Sequence, residues 1–314
     1  MNRAKAFFEQ LGLPAGDCHD LPTSDRRFPD GAHYRIEIPS VEGVTTLKAV
    51  LDETTAQGIQ IHRISQGSGM MLLRESEMRE IAALSYEHQI EACLFVGPRA
   101  AWEGSAQSLT PDGKIFGWRH MGMDQLLYAF EDVRRGIECG IRSILVADEG
   151  LTWLIGQARQ QNLIPENFVV KASALLGLSN PVAIKLMVVD AGIDTINVAS
   201  NITLPQLAAV RQVTDKPVDL YIEGPDGLGG FTRYYELSEI IRIGAPIYLK
   251  FGLRNAISIY PSGYHLESVA IQQARERVRR AAIGMEILER VTGVVYQTSQ
   301  PGAAGLGIGV VTHT

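Results

Sequence analysis

Cysteine is scarce in this 314-residue chain: Cys18, Cys93 and Cys139 stand far apart and show no CxxC spacing. An odd, unpatterned set excludes a disulfide framework, fits a reducing cytosol and argues against a zinc or iron–sulfur site built on cysteine. No iron–sulfur cluster is expected. Clustered positive charge is missing too. The formal net charge is −6 and the basic residues are scattered, whereas a nucleic-acid footprint needs a positive face. No apolar run reaches the 18 residues of a membrane span, and the opening "MNRAKAFFEQLGLPAGD" holds no apolar segment of signal-peptide length. The expected setting is cytoplasmic, with neither nucleic acid nor membrane as partner. No GxGxxG follows the first strand-like run and no HExxH occurs, so the two commonest fingerprints of dinucleotide and zinc-protease chemistry are absent.

What is present is alternation. Hydrophobic residues make up 46% of the chain, enough for a large core. Eight short β-rich runs lie at 34–40, 59–65, 90–97, 142–149, 167–174, 194–200, 217–224 and 246–252. Between them stand segments such as "TTLKAVLDETTAQG" and "TLPQLAAVRQVTDK", apolar at three- and four-residue spacing. Gly58, Gly140 and Gly192 mark helix ends, and Asn180-Pro181 and Thr203 with Pro205 mark helix starts. A long helix at 264–290 follows the eighth run. Eight strand–helix units in about 255 residues is the size of a (β/α)₈ (TIM) barrel. The expected class is therefore α/β, with residues 34–291 as the barrel and catalytic domain. Residues 1–33 are a helical extension on its outside or bottom. The Gly-rich tail 292–314 is either mobile or paired with a neighbouring subunit.

Two lysines interrupt strands that look apolar on both faces: Lys171 in "NFVVKASA" and Lys250 in "PIYLKFGLRN". An unpaired buried ammonium is strongly disfavoured. In a barrel, however, inward positions late in a strand open toward the active site at the C-terminal rim. The same reasoning collects Glu37 and Ser40, His62 or Arg63 with Gln66, Glu91 and Arg99, Asp148 and Glu149, Asn197, Asp219 and Glu223, then Arg254 and Asn255. Parity alone leaves His62 against Arg63 open. Glu91 and Asp219 also read as buried partners of Arg35 or of a lysine. Such groups perturb one another's pKa values. Glu223, Lys250, Lys171, Glu149, Asp148 and His62 are the catalytic candidates. Arg254, Asn255, Arg99, Asn197, Gln66, Gly229 and Gly230 are the substrate-binding ones.

The loops "GPDGLGG" (224–230) and "GLRN" (252–255) follow strands seven and eight, where barrels often bind phosphate through backbone N–H groups. Arg254 would add a clamp on phosphate or carboxylate. Glu149, Glu223 and His62 are the only candidate ligands for a divalent cation. The segment 97–122 is long for a loop and carries Arg99, Trp102, Trp118, Arg119 and His120, which suggests a lid or a contact with a partner subunit.

From about Ile59 to Gly252 the order of features resembles the barrel of the U32 peptidase (collagenase-like) family. The stretch "TINVASNITLPQLAAVRQVTDKPVDLYIEG" carries the likeness, as a strand, Ser-Asn, a "TLPQL" helix and "DLYIEG". The family's signature then places cysteines in the loop, and "GPDGLGGFTRYYE" has none. The iron–sulfur cluster of those members that hydroxylate RNA or quinone precursors therefore cannot be built at these positions. No catalytic residue of the family is carried over.

The sequence points to an enzyme acting on a small anionic metabolite by non-redox acid/base chemistry at the C-terminal rim, as a lyase, isomerase or hydrolase. One alternative, which the resemblance implies, is metal-assisted hydrolysis of amide or peptide bonds. The other is a non-catalytic barrel for binding or assembly. A small molecule is the expected partner, and a homo-oligomer is compatible with the class.

Overall fold

The computed structural model of the chain describes residues 1–102, 110–113, 117–291 and 295–312. Eight parallel strands close in chain order: β1 (Tyr34–Pro39), β2 (Arg63–Gln66), β3 (Glu91–Phe95), β4 (Ser143–Val146), β5 (Val169–Ala172), β6 (Thr195–Asn197), β7 (Val218–Glu223) and β8 (Ile247–Phe251). The closing pair sets Tyr34 against Ile247 and Glu37 against Lys250. That contact makes a ring where an open sheet would leave two edges. After α1 (Asn2–Gln10) come α2 (Val44–Gln57), α3 (Glu75–His88), α4 (Gly122–Glu138), α5 (Glu149–Gln160), α6 (Pro181–Val189), α7 (Leu204–Val213), α8 (Leu237–Gly244) and α9 (Glu267–Val291). The expected (β/α)₈ barrel is the observed fold.

Local chemistry sets the boundaries. Asn180 caps α6, its Oδ1 accepting from the Ala183 amide at 2.9 Å, with Pro181 next in line. Thr203 and Gln206 cap α7 reciprocally, satisfying two otherwise orphaned amides. Gly58 closes α2 in the left-handed conformation (φ 62°), where a side chain would be strained. The second strand differs from expectation. It begins at Arg63, because residues 59–62 run under the barrel, where Gln60 and His62 bond the Ser299 carbonyl.

Strand residues with outward side chains, such as Ile38, Ile64, Leu94, Ile144, Leu220 and Leu249, merge with the helix faces in one large apolar core. The N-terminal end of the tube is floored by both chain termini. Phe28 and Ala32 from one side and Ala303, Leu306 and Ile308 from the other pack on Tyr248. The tail was expected to be mobile or held by a neighbour. It bonds its own barrel instead: Thr298 bridges Tyr34, Ile308 bridges Glu91, and the Gly307 amide donates to Glu91 Oε2 at 3.2 Å. Glycine is needed there, since a Cβ on Gly307 would lie 2.5 Å from the Arg142 carbonyl oxygen. By contrast α1 buries none of its residues. Among the described residues, no helix is long and apolar enough to cross a membrane.

Candidate active site

A barrel interior is ordinarily filled by layers of branched apolar side chains. Here the middle of the tube is ionic. Arg63 Nε donates to Glu91 Oε1 (2.7 Å) and Nη1 to Asp219 Oδ1 (2.9 Å), with Glu37 Oε2 at 3.4 Å. Lys171 bonds Glu37 Oε2 and stands 3.5 Å from Asp219 Oδ2. Lys250 Nζ lies 3.1 Å from Glu37 Oε1 and 4.7 Å from the centre of the Tyr221 ring. The Ser65, Ser143 and Thr195 hydroxyls donate to Glu37 (2.7 Å), Glu91 (2.6 Å) and Asp219 (2.8 Å). Asn197, with its amide turned to donate to the Asp219 carbonyl (3.1 Å), accepts from Lys250 at 3.2 Å. Three cations thus face three carboxylates in a space from which water is largely excluded. Lys250, at 3% side-chain exposure, is the most accessible of the six.

The shared carboxylate treats its neighbours unequally. Burial alone would raise the Glu37 pKa, but Lys171, Lys250 and Arg63 outweigh it and hold the carboxyl well below its usual range. Burial works against the charged form of both lysines. At Lys250 the Glu37 carboxylate, the Tyr221 phenol and the Asp219 carboxylate overcome it and raise the pKa. At Lys171 burial wins, with Lys250 and Arg63 opposing the carboxylates, and the pKa falls below that of an ordinary lysine. Cys93, inside the same tube, is pushed up to about 12, chiefly by burial, and has no thiolate character.

Above this layer the rim divides. Over β3 to β5 it is apolar: Phe95, Leu145 and Ala147 pack with Trp118 and Leu175. Arg99, just past β3, is wholly buried, its guanidinium 3.7 Å from the Trp102 ring centre and 4.0 Å from that of Phe95. Asp148, at the end of β4, caps α5 through the Leu151 amide (2.8 Å) and accepts from the His120 amide (3.0 Å). The His120 ring Nδ1 lies 3.5 Å from Asp148 Oδ2. Burial would raise Asp148, yet His120 and the Leu151 amide hold it at about 2. Over β1 and β2, Tyr260 bonds the Ser40 hydroxyl. Glu42 accepts from the Gly67 and Ser68 amides at 2.8 and 2.9 Å.

Several expected site residues lie elsewhere. Glu223 does not face the mouth. A register shift in β7 sets it opposite Phe251, whose ring belongs to the outer core. There it accepts from Tyr234 Oη (2.5 Å) and the Arg254 amide (2.9 Å), with Arg280 at 3.7 Å. His62 sits on the floor: Nδ1 accepts from the Ile36 amide (3.0 Å) and Nε2 meets the Ser299 carbonyl (2.9 Å). The inward residue of that pair is Arg63. Glu149 is 54% exposed and paired with Arg119. Glu149, Glu223 and His62 therefore do not converge on one cation. Arg254 is 52% exposed and pairs with Asp226, which also accepts from the Asn255 amide. The Gly229 and Gly230 amides donate to the Asp226 and Pro225 carbonyls, so this loop offers no cradle for phosphate. Gln66 clips its own turn, bonding both the amide and the carbonyl of Gly69. Within the 97–122 segment, positions 103–109 and 114–116 lie outside the described residues. His120, the Ser65–Ser143–Thr195 hydroxyls and Glu42 were not among the expected site residues.

No family model matches the chain, and no curated protein matches it. Solved structures do. The YdjI aldolase from Escherichia coli K12 is 14% identical, with 82% of this chain and 90% of that one covered and a TM-score of 0.46. Dihydrodipicolinate synthase from Bacillus clausii is 12% identical over 82% and 77%, with a TM-score of 0.41. A truncated 3-deoxy-D-arabino-heptulosonate 7-phosphate synthase from Thermotoga maritima is 14% identical over 82% and 89%, also at 0.41. The likeness is one of fold. At these values no activity passes from those proteins to this chain.

Proposed function

We propose that this barrel is a non-redox enzyme of lyase, isomerase or hydrolase type acting on a small anionic carbonyl compound at the C-terminal end of its strands. The observation that carries the reading is the pair of lysines on one carboxylate, Lys250 kept charged and Lys171 drawn toward the neutral amine. Groups whose environments push their pKa values apart divide acid from base roles. Lys250, with Asn197 fixing its direction, receives negative charge as it develops on the substrate oxygen. A preorganised cation in a dry site is worth far more than one in water. Lys171 and Glu37 form the proton-transfer pair, in place of the expected Glu223 and Glu149.

Burial of Lys171 favours a second form of the same chemistry, in which its amine, once it has given up a proton, condenses with the carbonyl and releases water to give an imine. The test is a panel of small oxo-acids and their phosphates, read first by thermal shift and then by turnover. Lys250→Met is expected to abolish turnover on any substrate found, and full turnover in that variant ends the proposal. Borohydride reduction during turnover then separates the two forms. A substrate-sized mass added at Lys171 assigns the imine, and no addition assigns proton transfer alone.

A further inference from the structure

Among the described residues, seven buried side-chain nitrogen atoms have no hydrogen-bond partner, and four of them belong to Arg99 and His120. The other three are single atoms of Arg159, Arg211 and Arg277, each of which makes other hydrogen bonds. Buried donors are almost always satisfied, so a concentration of unmet ones in one place points to something that meets them. Arg99 and His120 stand near one another in the fold, and the His120 Nδ1 also faces Asp148 Oδ2 at 3.5 Å. The Ala100 amide donates to the Arg119 carbonyl at 3.1 Å, and the Trp118 ring centre lies 5.3 Å from the Arg99 guanidinium. Both residues stand at the C-terminal rim, past β3 and before α4, over the Phe95 side of the mouth.

The arginine is held in position without being neutralised. Its Nη2 donates to the Gly67 and Ser68 carbonyls at 3.2 and 2.8 Å. The amides of those same two residues donate to Glu42, so the turn links the arginine to a carboxylate without bringing the charges together. Phe95 and Trp102 flank the guanidinium, and no carboxylate comes within ion-pairing distance of it among the described residues. Nε and Nη1 stay unmet. Burial lowers the Arg99 pKa to about 9, only partly countered by Glu42, Tyr260 and Asp132. A buried cation with open donors lacks an anion.

We propose that the rim over β3 and β4 is an oxyanion subsite, in which Arg99 Nε and Nη1, with the His120 imidazole, take the phosphate or carboxylate group of the substrate. The proposal rests on reading the mouth as a substrate site, and it replaces Arg254 as the anionic anchor. Thermal unfolding of the native chain with inorganic phosphate and, separately, with malonate tests it. A rise of about 5 °C is expected at a hundredfold excess over Kd. A rise with phosphate alone assigns a phosphoryl group, and one with malonate alone a carboxylate. No rise with either overturns the proposal.

Arg99→Met keeps an unbranched apolar stem and removes the charge and the donors. Without ligand it is expected to melt at or above the native temperature, since an apolar group replaces an uncompensated buried ion, and the ligand-induced rise is lost. Should Arg99→Met fail to fold, Arg99→Lys keeps a cation without the planar set of donors, and an undiminished rise there overturns the proposal. Loss of the rise in Lys250→Met but not in Arg99→Met removes the subsite and leaves the proposed function standing.

Discussion

His62 gives the sharpest quantitative test of how the barrel is closed. Burial is the largest influence on its ring. The Ser299 carbonyl opposes it, Arg35 reinforces it, and the pKa is pulled from 6.5 down to about 4. As pH falls through 6.5 the unfolded chain takes up a proton at this residue, while the folded chain does not until about pH 4. The unfolded state therefore binds more protons across that window. The stabilisation is complete above 6.5 and is lost progressively toward 4. One pKa unit is worth about 1.4 kcal/mol, so His62 alone removes about 3 kcal/mol by pH 4 and about 2 kcal/mol by pH 5. The assay is urea unfolding of the native chain and of His62→Gln at pH 7.5 and pH 5, roughly one unit above and between the two pKa values. Glutamine still offers an oxygen to the Ile36 amide but does not titrate. The native chain should lose about 2 kcal/mol more than the variant between the two conditions, because the carboxylates common to both cancel in the difference. Equal losses would refute the account of a neutral imidazole sealed under the tail.

The ionic layer makes a second prediction. Asp219→Ala leaves Arg63 and Lys171 each short of a buried partner and should cost about 3–5 kcal/mol in denaturant unfolding. A cost under about 1 kcal/mol would mean that water reaches these cations. The outward turn of Glu223 makes a third: Glu223→Gln keeps an acceptor for the Arg254 amide, so ligand-induced thermal shifts and any turnover should equal those of the native chain. A hundredfold loss of turnover would instead put Glu223 in the chemistry, at about 2.7 kcal/mol of barrel-mouth stabilisation. The exposed Arg254 makes a fourth. Arg254→Ala should change stability by no more than about 0.5 kcal/mol and leave anion binding unchanged, as an exposed ion pair contributes little.

The barrel was legible because eight strand-like runs alternate with segments of helical period, some with their own punctuation, such as the Thr203–Gln206 cap. Alternation within β5 and β8 was enough to turn Lys171 and Lys250 inward, and both meet Glu37 there. The failures have physical causes of the same kind. A single-residue register shift between Tyr221 and Glu223 reverses the face of the second, and no residue type marks that shift in the sequence. His62 against Arg63 was undecidable locally, since what holds the histidine is a carbonyl 237 positions further along. Arg254 looked free because its partner Asp226 comes from a different loop. His120 was passed over because its contact with Asp148, 28 positions further along, exists only in the folded chain.

The floor of the tube has a consequence for what a shortened chain would lose first. The tail lies far along the chain from the strands it serves, yet its amide at Gly307 completes Glu91, and its Ser299 completes Arg35 and His62. Without those turns the ring would hold its acids and bases over an open drain, where solvent would compete for Glu91, Arg35 and His62. Trimming the tail should harm the charged centre of the molecule before it harms its greasy shell.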